Sequence, residues 1–314
     1  MNRPSICIVI VNWNSGDLLD ACVSSLVCAD FSAYSKSSLI VVDNNSEDGS
    51  ADFLDEITEC SIDIYPLGLT ENLGFGRGCN RGFEHYLEDN EVPDLVLFLN
   101  PDCQVREKTF QILLEQSALD RPDVGIFGVQ LVDDNGIATS CSNFPSVQNY
   151  YLKTLGLSKL AARFEIFEHH LLSFDHQSNR LVDQVMGAFF LVRGHVFSEL
   201  SGFDEQFFVY FEEVDFSLRA NKAGYASMFL VPPTIYHQGC GTTETVKAFR
   251  LYLSLSSRIK YFKKNASTLQ YFAIIILTFF IEPIVRMGFS LVSRSSRAIE
   301  VLQAYFLILR NGLK

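Results

Sequence analysis

The sequence predicts an α/β fold: a Rossmann-like, mostly parallel sheet with helices on both faces, continued at its C-terminal end by a helical segment. Three observations lead there. Short runs rich in Ile, Val and Leu alternate with helix-like stretches, the pattern of strand–helix–strand units. Four of these runs in succession end in clusters of Asn, Asp, Ser or Gly, and open sheets gather ligands at such strand ends. A chain of 314 residues, 48% of them hydrophobic, suffices for one large core or for one core with a smaller appendage.

Residues 6–11 form an apolar run too short for a secretory signal, and it leads into "NWNSGD" rather than a cleavage site, so it is expected to be the first strand. Residues 18–27 follow with helical periodicity, then 39–42 as a second strand ending in "DNNSEDGS". The third strand, 62–66, runs into "GLTENLGFGRGCNRG", and the fourth, Leu95–Leu99, into "NPD". A fifth spans 124–129, and "DDNG" (133–136) reads as a hairpin turn. After a polar, poorly periodic stretch from about 142 to 180, residues 184–194 are expected to form one more strand. The acidic "YFEEVDFSLR" (210–219) then opens a helix. There is no internal repeat or low-complexity linker.

Beyond Thr245 two or three helices are expected. Their longest apolar stretch, 271–281, is ended by Glu282 and Pro283, well short of the ~20 residues a bilayer-spanning helix needs. Charge separates this tail from the rest: residues 247–314 hold eleven Lys or Arg against two acids, net +9, leaving −21 on the first 246 residues of a chain whose total is −12. An acidic body argues against nucleic-acid binding, which needs a basic footprint. The basic, apolar tail suits an interfacial helix lying on anionic lipid; packing on the main domain or a homodimer contact are the competing accounts. Eight scattered cysteines without a C-x-x-C pair read as reduced thiols of a cytoplasmic protein.

The strand-end clusters carry the candidate chemistry. The glycines at 74, 76, 78 and 82 do not fit G-x-G-x-x-G and follow the third strand, which disfavours a dinucleotide fold. They either pack a helix tightly on the sheet or let backbone approach an anion, with Arg77 as a fixed charge. Asp102, at the end of the fourth strand, is either a turn residue of Asn-Pro-Asp or a ligand for a divalent ion. Such an ion would reconcile a diphosphate with an anionic body. On the helix opened at 212, Asp215 and Arg219 lie four apart and pair, while Glu213 points about 100° away from Glu212 and is not claimed by that pair. Gly187, in "MGA" (186–188), lacks a side chain and would let a ligand lie near the backbone. Trp13, the single tryptophan, either stacks on a ligand or packs in the core, with the core the favoured place.

The stretches "VIVNWNSGDLLDACVSSL", "VVDNNSEDGS", "ENLGFGRGCNRG", "FLNPDCQV", "MGAFFLVRGHVF", "GFDEQFFVYFEEVDFSLRANKAGY" and "HQGCGTT" occur in this order. Together they resemble the inverting glycosyltransferases of family 2, with the GT-A fold, and among these the bacterial rhamnosyltransferase-like members. The resemblance covers roughly residues 4–243. It implies a catalytic domain over 1–244, with 1–103 the nucleotide-binding half and 104–244 the acceptor-binding half, and a helical, possibly membrane-associating segment over 245–314.

Position by position, the resemblance implies that Asp43 contacts the nucleotide base, that Asn12, Asn14 and Asn45 border the same pocket, and that Arg77 stands at the arginine of the glycine-rich helix. It makes Asp102 the direct ligand of Mg²⁺ or Mn²⁺ in a D-x-D variant, Asn100 its polar neighbour, and His237 a histidine close to metal and diphosphate. Gly187 and Ala188 would border the acceptor. The family usually writes Glu-Asp where this chain has Glu212-Glu213, with the second acid as general base; Glu213 is the positional match, Glu212 and Asp215 the alternatives. The implied reaction moves a sugar, L-rhamnose from dTDP-rhamnose among the candidates, from a nucleoside-diphosphate donor to a polysaccharide or lipid-linked glycan at the inner face of the cytoplasmic membrane. Two rivals differ from it. A sugar nucleotidyltransferase would carry a glycine-rich basic loop after strand one, absent from "NWNSGD"; a glycan-binding scaffold of the same fold would show no turnover.

Overall fold

The strand Ser5–Asn12 (β1) sits inside a sheet that buries both of its faces. Ile6, Ile8 and Ile10 point into one apolar cluster, and Cys7, Val9 and Val11 into another. That two-sided burial is why the run is apolar at every position instead of alternating. In the computed structural model, residues 3–57, 61–137, 140–157, 174, 176–239, 247–292 and 297–313 are described.

β1 pairs in parallel with Lys36–Asp43 (β2) on one side and Leu95–Leu99 (β4) on the other, and Asp63–Gly68 (β3) extends the β2 edge, also in parallel. Cys103–Gln104 (β5), Val124–Asp133 (β6), Gly136–Ile137 (β7), Cys141–Ser142 (β8), Arg180–Val182 (β9), Gln184–Val185 (β10), Phe189–Arg193 (β11) and Ala226–His237 (β12) follow in the chain. The main sheet runs β3-β2-β1-β4-β11-β6-β12-β5, with β7 on β6 and β9 on β12. β11 is antiparallel to both β4 and β6, so the sheet is mixed at its centre. The five strands expected up to residue 129 and the turn at 133–136 are all present. The expected strand over 184–194 is not continuous. It breaks at Met186–Ala188, where the Ala188 carbonyl turns to accept from Asn100 N at 3.0 Å and Cys103 Sγ at 3.3 Å.

Helices cover both faces. Asp17–Val27 (α1) buries Leu19, Cys22, Val23 and Leu26 on one side, alongside Thr109–Leu114 (α3). Phe75–Asp89 (α2), Gly194–Glu199 (α5) and Glu212–Lys222 (α6) cover the other. A methyl at Gly78 or Gly82 would sit 2.9 Å from Val11 Cγ1 or 2.6 Å from Val9 Cγ1. Those two glycines therefore set the close approach of α2 to β1, the packing alternative for this motif.

The tail comprises Lys247–Asn265 (α7), Thr268–Ile276 (α8), a π-helical turn Leu277–Ile281, Glu282–Val292 (α9) and Arg297–Asn311 (α10); Val147–Thr154 (α4) packs beside them. The apolar stretch is interrupted at Glu282 and Pro283, but the helix is not. Proline is tolerated there as the first residues of α9 follow the π turn without a break, and the Glu282 carboxylate is buried between Arg258 and Arg286. Thr268–Ser290 is consequently 23 residues long and apolar enough, by length and composition, to cross a membrane. One of its faces is exposed, through Leu269, Phe272, Ile276, Phe280 and Ile284, and α10 exposes Ile299, Leu302, Phe306 and Leu309 in a second stripe at helical spacing.

Candidate active site

The loops at the carboxyl ends of β1, β2 and β4 meet the start of α6, the 186–188 break and the first turns of α7 around a pocket of about 380 Å³. The α6 end is held in an unusual backbone. Tyr210 and Phe211 both have positive φ, 67° and 73°, a conformation that costs non-glycine residues of order 1 kcal/mol or more each. The loop is kept there by burial of Phe207 and Phe211 and by Phe75 N donating to Phe208 O at 2.7 Å. The consequence is that two consecutive acids at the helix start, Glu212 and Glu213, both line the pocket.

Glu212 is buried and Glu213 half-buried, and each has a carboxylate oxygen, Oε2, with no hydrogen-bond partner among the described residues. Burial raises the pKa of both carboxyls, and that of Glu212 furthest, because the Glu213 charge adds to its own desolvation. Two adjacent carboxyls raised in this way do not readily ionise together, so one keeps its proton while the other carries the charge. Gly187 lies close against Glu213: a methyl there would sit 3.5 Å from Glu213 Cγ.

Across the pocket, antiparallel pairing of β12 with β5 sets His237 opposite Cys103, and Gln238 N donates to Asp102 O at 3.1 Å. His237 Nε2 comes within 3.4 Å of Asp102 Oδ1, a buried oxygen that receives no hydrogen bond. Ligand atoms of Asp102, Cys103 and His237 all lie within 4.8 Å of one another. The Cys103 thiol is raised well above its ordinary pKa by burial and points its proton at Ala188 O, which removes it as a thiolate ligand. A carboxylate with a neighbouring imidazole remains, and hard ions such as Mg²⁺ or Mn²⁺ accept such a set while keeping positions for water or phosphate oxygens. The donors present therefore fit a divalent cation.

Of the residues singled out in the sequence, Asn100, Asp102, Gly187, Ala188, Glu212, Glu213 and His237 line this one pocket; residues 240–243 of "HQGCGTT" lie outside the described residues. Asn12, Asn14, Asp43 and Asn45 do not line it and knit the adjoining loops instead. Asn12 is fully buried and donates to Asp43 Oδ1 at 2.8 Å and Ser50 Oγ at 2.8 Å. Asn14 accepts from Glu47 N at 2.8 Å, and Asn45 takes a turn with φ 61°.

Two of the expected residues are engaged elsewhere. Arg77 is paired with Glu205 at 2.8 Å and is not part of the lining. Asp215 is fully buried away from the pocket. It accepts from Arg219 Nε at 2.9 Å, Lys264 Nζ at 2.8 Å and Asn265 Nδ2 at 3.1 Å, a clamp with no room for an acceptor hydroxyl.

Four lining residues were not assigned to the site from the sequence. Trp13 is half-buried at the pocket instead of in the core. Asn44 holds the 72–74 loop through Asn72 Oδ1, Gly74 O and Leu73 N; its place directly after Asp43 was the available signal. Phe249 and Arg250 come from α7, and no local pattern places that helix over the site.

The mixed sheet, with its ligand pocket at the carboxyl ends of the parallel strands and a pair of acids facing a metal-competent aspartate, defines a GT-A-like transferase. Residues 7–168 match the model described as glycosyl transferase family 2, and the chain belongs to that family, the nucleotide-sugar glycosyltransferases. It is 27% identical over 251 residues to an N-acetylglucosaminyl-diphospho-decaprenol L-rhamnosyltransferase of Mycobacterium tuberculosis, covering 75% of this chain and 76% of the relative. To the low-salt glycan biosynthesis hexosyltransferase Agl10 of Haloferax volcanii it is 25% identical over 282 residues, 87% and 81% of the two chains. Among solved structures, the mannosyltransferase PcManGT of Pyrobaculum calidifontis, in complex with GDP-Man and Mn²⁺, superposes with a TM-score of 0.55 at 14% identity over 98% of this chain and 81% of that one. S. aureus TarS 1-349 in complex with UDP gives 0.53 at 12% identity, over 98% and 92%.

Proposed function

We propose that this glycosyltransferase is metal-dependent and inverting, and transfers a sugar from a nucleoside-diphosphate donor to a hydroxyl of a polysaccharide or lipid-linked glycan. One observation carries the reading: Glu213, a raised carboxyl with an unpartnered oxygen, faces the Asp102–His237 pair across a single pocket. Inversion needs one displacement and one base. The acceptor hydroxyl gives its proton to Glu213 while its oxygen attacks the anomeric carbon, and the bond to the diphosphate breaks on the opposite face with its electron pair leaving on phosphate oxygen. Glu212, still protonated, stays neutral beside the base and can donate a hydrogen bond to the acceptor. Asp102 and His237 would hold the Mg²⁺ or Mn²⁺, which when bound neutralises charge developing on the leaving diphosphate. Asn44 and Trp13 flank the donor side, with Trp13 offering a face for a base to stack.

Domain roles follow from this reading: 1–103 bind the nucleotide, 104–244 the acceptor, and 245–314 close the pocket and meet the membrane. L-Rhamnose from dTDP-rhamnose is the proposed donor, supported by the name of the M. tuberculosis relative, which also supports a diphospho-lipid acceptor. The exposed apolar stripes of α8 to α10 support a peripheral position on the inner face of the cytoplasmic membrane, where such an acceptor resides. Assays with dTDP-rhamnose, UDP- and GDP-sugars, each with Mg²⁺ or Mn²⁺ and with EDTA, test the proposal. Metal-dependent release of nucleoside diphosphate from one donor, accelerated by a prenyl-diphosphate glycan, is the expected result; no turnover of any donor would leave a scaffold.

A further inference from the structure

We propose that Arg250, on the first turns of α7, is the cation that grips a diphosphate in the catalytic pocket. The inference rests on the glycosyltransferase reading above and assigns a role to a residue of the C-terminal segment. Among the described residues, the pocket lining contains three carboxylates, Asp102, Glu212 and Glu213, and against them one guanidinium, that of Arg250. Arg77, the cation the sequence offers for this task, is committed to Glu205. Arg250 is half-buried, and among the described residues it has neither an ion-pair nor a hydrogen-bond partner.

A guanidinium left without a counter-ion at a pocket wall is matched by an incoming anion, and its planar fork suits two phosphate oxygens at once. The helix that carries it is fixed from Ser257 onward. Ser257 Oγ donates to Val209 O at 2.7 Å, Lys260 Nζ to Gln206 O at 2.6 Å, Arg258 reaches Thr278 and Glu282, and Lys264 and Asn265 hold Asp215 on the catalytic helix. Arg250 is thus presented by a braced element rather than by a loop, as binding groups require for precise placement. Beside it, Phe249 and Leu253 continue the wall into the apolar cluster that α7 shares with Ala304 and Ile308 of α10. Either a donor nucleotide or the head of a prenyl-diphosphate acceptor supplies the same diphosphate chemistry at that position.

Trp13 is the only tryptophan and lines the same pocket, so its fluorescence reports occupancy directly. Wild type, Arg250→Ala and Arg250→Lys are titrated in Mg²⁺ with pyrophosphate, with UDP, GDP and dTDP, with the corresponding nucleosides, and with farnesyl diphosphate. The expected result is a loss of roughly tenfold or more in diphosphate affinity for the Ala variant, with partial recovery in Lys and nucleoside affinity within about twofold of wild type. Loss confined to nucleoside diphosphates assigns Arg250 to the donor; loss confined to farnesyl diphosphate assigns it to the acceptor. Wild-type affinity of the Ala variant for every diphosphate overturns the inference and leaves the proposed function intact. A wild-type protein that binds no diphosphate overturns both.

Discussion

His237 Nε2 stands 3.4 Å from Asp102 Oδ1, a buried carboxylate oxygen that accepts no hydrogen bond among the described residues. A contact of that length is too long to be a hydrogen bond of ordinary strength, and it leaves a polar gap suited to a shared ion. Replacing Asp102 with Ala removes the anionic member of the pair. Mn²⁺ binding, followed by electron paramagnetic resonance, is expected to be lost, and nucleoside-diphosphate binding to become the same with and without metal. Unchanged Mn²⁺ affinity in this variant would move the metal elsewhere.

Two glutamates side by side divide the work through their surroundings. Glu213→Gln is expected to bind donor like wild type yet lose roughly 10²- to 10⁴-fold in transfer rate, the usual contribution of a general base. Glu212→Gln retains transfer; if it is the variant that fails, the base is Glu212.

The same pair sets two pH dependences of opposite sense. Transfer requires ionised Glu213, so the rate falls as pH is lowered through its raised pKa, and the acid limb lies above the ordinary value of 4.5. Stability runs the other way for Glu212. Its folded pKa is raised above the unfolded value, so its contribution is fully present below about 4.5 and is lost as pH climbs through the raised folded value. Thermal melts of Glu212→Gln and wild type should diverge as pH rises, the variant melting higher at alkaline pH. Parallel curves from pH 4 to 9 would contradict the raised Glu212 carboxyl.

Asp215 offers a contrast in the same helix. Its carboxylate holds Arg219, Lys264 and Asn265, and so ties α6 to the far end of α7. Asp215→Ala leaves two cations facing each other without their counter-ion and is expected to cost about 3 kcal/mol of stability. The melting temperature falls, while donor affinity measured well below the transition stays near wild type. A variant that keeps its melting point but loses transfer would return Asp215 to the list of bases.

The strands and the acids were legible in the sequence because their signals are local. A two-sided buried strand must be apolar throughout, as residues 6–11 are, and chemistry at its end must be polar, as Asn100 and Asp102 are. What could not be read depends on contacts between distant segments. Trp13 lines the same pocket as Phe249 and Arg250 of α7, more than 230 positions later in the chain. Arg77 pairs with Glu205 only once α2 packs beside the 203–208 loop. The helix through Glu282 buries that carboxylate because Arg258, on another helix, meets it; within the sequence Glu-Pro only ends the apolar stretch.

That continued helix leads to the last expectation. Leu269, Phe272, Ile276, Phe280 and Ile284 recur at spacings of three and four, and Ile299, Leu302, Phe306 and Leu309 repeat the stripe on α10, with Leu269 and Leu309 each 81% exposed. Arg286 and Arg310 stand exposed on the same two helices, a composition suited to the surface of an anionic bilayer. Burying one such side chain contributes about 1.5–3 kcal/mol. Changing Phe280, Ile284, Phe306 and Leu309 together to Ser should therefore lower the partition onto phosphatidylglycerol vesicles by orders of magnitude in a flotation assay, while nucleotide binding stays unchanged. Light scattering on the same proteins separates the competing occupant of this face. If the wild type ignores vesicles but forms a dimer that the fourfold variant breaks, the stripes join two copies of the chain and the membrane reading is lost.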